Sequence, residues 1–161
     1  MGRWVCAPRR LASLAARKSD SHRGDYDAAI ADFNEIIKVN SYTAEAYYGR
    51  GLAYHWKGNL DAAITDYDRA INIVPPDTRA FRARGSVKLI QGKIADALAD
   101  FEKAVKANPT DAANYEYIGD AYARMGDQVK ARDAWAKALS LSPESKSEAR
   151  LKAKLKSAPK Q

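Results

Sequence analysis

A chain of 161 residues has room for one domain or one short array of repeats, and a single cysteine, Cys6, excludes an internal disulfide framework or a multi-cysteine metal site. Charged residues make up 29% and hydrophobic ones 46%, which suits a folded chain; no uncharged apolar run reaches the roughly 18 residues that a membrane-spanning helix needs. The net charge of +7 divides into +5 over residues 1–23, −3 over 24–145 and +5 over 146–161, unlike the basic folded face of a nucleic-acid-binding domain.

Residues 1–23 read as a basic N-terminal arm. Arg3, Arg9, Arg10, Arg17 and Lys18, with no acid before Asp20, give it the composition of an organelle transit peptide. Arg9 and Arg10 interrupt any secretory apolar core. Cys6 stands where a myristoylation signal needs serine or threonine. A targeting segment, a solvated tail and a misassigned start all fit the arm; the expectation is no working signal and a cytoplasmic protein.

From Gly24 onward the chain repeats itself. Gly24, Gly58, Gly92 and Gly126 are 34 residues apart, and each opens a similar segment. Small residues recur at Ala29, Ala63, Ala97 and Ala131, aromatics at Phe33, Tyr67, Phe101 and Trp135, then Ile36, Ala70, Ala104 and Ala138. Steps of four and three place each set on one helical face. The segments before the glycines show the same period, through Tyr47, Gly51 and Tyr54, then Phe81, Gly85 and Lys88, then Tyr115, Gly119 and Tyr122. Each unit is therefore two helices joined at a glycine that supplies a sharp turn. Pro75, Pro109 and Pro143 end the second helices. Thr43, Asp77, Asp111 and Ser145 are positioned to cap the first ones, and Ser145 with Glu148 reads as a capping box.

The period and columns resemble the tetratricopeptide repeat (TPR) family. The resemblance implies an all-α fold, a right-handed superhelical array of helix-turn-helix hairpins. It covers three full repeats, 44–77, 78–111 and 112–145, and the second half of a first repeat, 24–43. The first half of that first repeat departs from the pattern, with Arg17 for glycine and Asp20 for tyrosine. Lys88 departs in a column that is tyrosine elsewhere. Residues 146–161 read as a capping helix and basic tail, with Leu151 and Leu155 on one face and lysines over much of the rest; a frayed tail is the alternative.

Catalysis is not expected. Nothing in the sequence ties His55 to Cys6, and the glycines are spaced as turns, not as a phosphate-binding loop. Caps and solvated faces account for Asp25, Asp61, Asp66, Asp100 and Asp127. No metal, cofactor or small-molecule substrate is expected. Arg50 and Arg84 recur in one column and Asp32, Asp66 and Asp100 in another, so Arg–Asp pairs are expected, either within a repeat (Arg50–Asp66, Arg84–Asp100) or between neighbours (Asp32–Arg50, Asp66–Arg84). Trp135 belongs in the core. Trp56 is expected in core or edge packing, with ligand contact as the alternative.

What the resemblance implies for function is a protein-interaction scaffold or adaptor that holds a peptide or helix of a partner in a concave groove lined by first helices. Helical geometry then selects Tyr48, Leu52 and His55, Arg82, Ser86 and Leu89, and Glu116 and Asp120 for the floor, with Arg79 and Arg124 toward the rims. Arg79 and Arg82 suit a carboxylate; Glu116 and Asp120 suit a basic residue. The carboxylate clamp of some chaperone-partner TPR domains is absent, since its positions hold Tyr48 and Leu52, Ala83, and Ala113 and Tyr117. Two alternatives stand beside the groove. One is self-association through the incomplete first repeat, where Ile30, Phe33 and Ile37 would be exposed. The other is nucleic-acid or anionic-surface association through the basic ends, of which nucleic acid is the less expected.

Overall fold

The computed structural model describes residues 25–74, 76–141 and 147–157. The expectations placed on the N-terminal arm, Gly24, Pro75, Pro143 and Ser145 lie outside these residues. The described chain is all helical: α1 (Tyr26–Val39), α2 (Ala44–Lys57), α3 (Leu60–Asn72), α4 (Arg79–Ile90), α5 (Ile94–Ala107), α6 (Ala112–Met125), α7 (Gln128–Leu141) and α8 (Glu148–Ser157). Packing divides the chain into two units, one ending at Val87 and the other beginning at Lys88.

The turns between paired helices follow one chemistry. Gly58, Gly92 and Gly126 have φ of 89°, 77° and 84°, the left-handed region where a side chain is strained. At each, the glycine N–H and the next N–H donate back to the preceding helix, as in Gly58 to His55 (3.0 Å) and Asn59 to Tyr54 (2.9 Å). This is the Schellman arrangement, which satisfies carbonyls that the helix end would otherwise leave bare. The next helix starts at once: Asn59 accepts from the Ala62 N–H and Asp127 from the Lys130 N–H. Asp111 and Asp77 accept from Ala113 and Arg79 as expected, whereas Thr43 occupies its cap position without a side-chain hydrogen bond.

In the first unit, Ala29, Ile30, Phe33 and Ile36 of α1 pack with Ala46 and Ala53 of α2, and Ile37 is partly buried against them. The expected exposure of Ile30 and Phe33 is thus corrected, since both side chains are turned into this cluster. Ala63, Tyr67 and Ala70 of α3 then pack with Ala80 and Val87 of α4, with Ala83 alongside. In the second unit, Ala97 and Phe101 of α5 pack with Leu89 and with Ala121 of α6. Ala131, Trp135 and Ala138 of α7 pack with Leu151 of α8. All four Ala–aromatic sets are buried, as their spacing requires.

Glycine also serves where no turn exists. A Cβ on Gly51 would stand 2.7 Å from Tyr67 Cε1, and one on Gly119 would overlap the Trp135 indole. A Cβ on Gly49 would overlap the Phe33 ring. The bare backbone of one helix is the seat for the large ring of the next. At the position matching Gly49 one repeat on, Ala83 faces the Tyr67 cluster; two repeats on, Tyr117 stacks on Phe101 with ring centroids 5.3 Å apart.

Candidate functional site

The charged columns resolve into specific pairs. Arg50 grips Asp66 through two bonds of 2.7 Å, the within-repeat alternative, and also donates to Asn34. Arg84 pairs with Asp68, a partner the column reasoning missed. Lys88 lies 2.8 Å from Asp100, so the lysine that breaks the tyrosine column brings a cation to a buried carboxylate. Asp66 and Asp100 are buried, not on solvated faces as expected. Their charges are tolerated there because ion pairing and hydrogen bonding offset part of the desolvation cost.

In the first unit, the outer stripe of α2 runs through Tyr48, Leu52, His55 and Trp56. Leu52 and Tyr48 are half-buried at the edge of the Tyr67 cluster, with the Tyr48 ring 6.2 Å from that of Tyr67. Trp56 is 61% exposed, which corrects the expectation of core packing, and its ring stacks on His55 at 5.4 Å and 7°. Partial burial holds the His55 pKa below the ordinary histidine value. Arg79 of α4 lays its guanidinium over the Tyr48 ring, 4.5 Å from the centroid. Its Nε and Nη2 are already engaged by Asp77, at 2.9 and 2.6 Å. That hydrogen-bonded pair raises the Arg79 pKa, and it means the fork expected to meet a ligand carboxylate carries an internal one. Arg82 and Ser86 are partly buried on the same helix, and the Ser86 hydroxyl donates to the Ala83 carbonyl.

In the second unit the four expected residues are placed differently. Leu89 is buried in the Phe101 cluster. Arg124 is exposed but donates to the Leu89 carbonyl at 2.8 Å. Glu116 is buried and receives two bonds of 2.7 Å from Arg150 and one of 2.9 Å from Lys154. Asp120 accepts from Lys154 at 2.6 and 2.8 Å and from Trp135 Nε1 at 2.9 Å. The acidic pair expected to attract a basic ligand is filled by the chain's own α8. Burial pushes the Glu116 pKa up, but the hydrogen bonds and charges of Arg150 and Lys154 together outweigh it and hold it below the ordinary value. The sequence carried a signal for this contact that sequence reasoning missed: two acids at i, i+4 and two bases at i, i+4, each on one face.

Among the described residues, no group of three or more histidine, cysteine or acidic side chains is placed to hold a metal ion. No described helix is long and apolar enough to cross a membrane.

Comparison with known proteins agrees with the repeat reading. Residues 12–78 match the family model described as tetratricopeptide repeat, and residues 87–161 match that described as regulator of microtubule dynamics protein 1-3. No curated protein matches the chain. Among solved structures, MamA 41-end from Desulfovibrio magneticus RS-1 is 27% identical with a TM-score of 0.70, over 92% of this chain and 89% of that one. TTC0263, a thermophilic TPR protein of Thermus thermophilus, is 21% identical with a TM-score of 0.76, over 92% and 79%. A MamA protein is 22% identical with a TM-score of 0.73, over 90% and 79%.

Proposed function

Since the chain is an all-α repeat protein of the tetratricopeptide type, we propose that it is a non-catalytic interaction scaffold that binds a peptide or helix of a partner protein along its first helices. The observation that carries this reading is the aromatic stripe of α2, exposed at Trp56 and half-buried at Tyr48. Trp56, stacked on His55, offers flat apolar surface, and two turns earlier on α2 the Tyr48 ring lies beneath Arg79, whose fork Asp77 already engages. Such rings bind at low entropic cost because few torsions are frozen, and they dominate peptide-binding surfaces for that reason. Arg82, partly buried on α4, adds positive charge to this surface, which favours an acidic group on the ligand. The segment that fits is one with an aromatic or aliphatic anchor followed by a carboxylate.

Affinity capture with the intact chain, compared with W56A and with W56A/R82E, tests the reading. Trp56 is exposed, so its loss leaves the core standing. A partner held by wild type and released by these variants supports the assignment. A partner held equally by all three refutes it.

A second reading is favoured by the match of residues 87–161 to a regulator of microtubule dynamics. On this reading the basic C-terminal end, including Lys152 and Lys156 on α8, associates with an anionic polymer such as a microtubule. Co-sedimentation with microtubules that survives K152E/K156E would remove it.

A further inference from the structure

The floor beneath α8 is made by α6 and α7. Asp120 is oriented by the Trp135 indole N–H, 2.9 Å away, and Trp135 is itself fixed in the buried column of α7. Glu116 lies one helical turn from Asp120 on α6. Ala131 and Ala138 flank Trp135 and form an apolar seat. At one end Arg132 of α7 donates to the Leu155 carbonyl at 3.1 Å, a group in the last turn of α8.

The segment on this floor is held mainly through polar contacts. Of the ten residues of α8, one, Leu151, is buried. Leu155 is partly buried beside it, and the polar hold comes from Arg132, from Lys154, which bridges Glu116 and Asp120, and from Arg150, whose side chain is 61% exposed. The Arg150 side of this network opens to water, where salt screens an ion pair.

We propose that the α6–α7 face is a receptor for a basic amphipathic helix of a partner protein, and that α8 occupies it in cis as a pseudo-ligand. The seated helix states what the receptor reads. It accepts cations four residues apart, as at Arg150 and Lys154. It takes a leucine one position after the first cation, and Arg132 donates to one carbonyl in the helix's last turn. Charge complementarity names the partner, because Glu116 and Asp120 favour cations and disfavour an acidic helix. This face belongs to the second unit and is separate from the α2 stripe, so either assignment can fail without the other.

A fluorescent peptide of sequence SEARLKAKLKS, that of residues 147–157, is the probe, added to the intact chain and followed by anisotropy. Covalent tethering gives α8 a high local concentration, so wild type binds the peptide weakly. In R150A/K154A the resident loses its charges but keeps Leu151, and the peptide is expected to bind about tenfold tighter or more. Adding E116Q to that variant abolishes the gain, and raising salt weakens it. Circular dichroism checks each fold, and R150A alone carries the test if the double variant does not fold. Binding to neither protein, equal binding to both, or a gain that survives E116Q overturns the proposal.

Discussion

Arg50 reaches from α2 to Asp66 on α3 and closes on it with two 2.7 Å bonds, in a place where the carboxylate residue is 3% exposed. The pair joins the two helices of one hairpin at a fixed register. Removing one partner strands a charge, whereas removing both strands none. R50A is expected to cost about 3–5 kcal/mol, while R50M/D66L, which fills the space with apolar groups, costs far less or nothing. Urea denaturation of the single and double variants measures the difference; equal losses would show that the pair acts through packing alone.

The aromatic column should dominate stability. Phe101 is fully buried and Trp135 nearly so. Truncation of either to alanine is expected to cost about 3–5 kcal/mol. G119A should also destabilise, because its methyl overlaps the Trp135 indole, and a helical alanine has no backbone reason to be worse than glycine there. Chemical denaturation midpoints report both effects.

The turn glycines make a cleaner case. A Cβ at Gly58, Gly92 or Gly126 would meet nothing within 4 Å, so a substitution is penalised through φ alone. Alanine at each should cost about 1–2 kcal/mol. Asparagine should cost less than alanine, since its short polar side chain tolerates the left-handed region. Thermal melts of the six variants would show that order.

Acid should loosen α8. Glu116 has a native pKa below its unfolded value of about 4.3, so its ion pairs contribute fully above that value. The contribution is lost as pH falls through the lower native value. Amide protection factors in α8, which remove the intrinsic pH dependence of exchange, are therefore expected to fall below about pH 4. E116Q should remove that acid dependence, although it also weakens the docking at neutral pH.

His55 titrates in the opposite chemical sense with the same direction of effect. Burial depresses its pKa, so the unfolded chain takes up the proton first, and stability present above pH 6.5 declines as pH falls through the native value. Proton NMR titration of the imidazole, compared with W56A, places its midpoint below 6.5; a midpoint at or above that value would contradict the partial burial of the stacked pair.

The fold was legible because its determinants are local and repeated. Gly58, Gly92 and Gly126 mark left-handed turns, and the alanine and aromatic columns mark the buried face, each recurring every 34 residues. The surface was less so. Helical phase grouped Tyr48, Leu52 and His55 on one face of α2 but did not show that Trp56 would stay open, because a residue closing a helix is buried only if another element covers it. Phase also selected Glu116 and Asp120 without their occupant, since Arg150 and Lys154 lie 34 residues further along the chain from each. Asp77 at the start of α4 neutralises Arg79 through a local contact that a groove-facing projection does not consider.

The large rings of the repeats do not all meet the same neighbour. Phe33 rests on the bare backbone of Gly49, Tyr67 shares its cluster with Ala83, and Phe101 stacks on the ring of Tyr117. These junctions act as keyed couplings, each cut for its own pair. A shuffled chain that set the hairpin of Tyr117 behind Phe33 would bring two rings into room left for a hydrogen atom. The serial order of hairpins is thereby written into their edges, and circular rearrangement of these similarly folded modules would need its couplings recut at each new join.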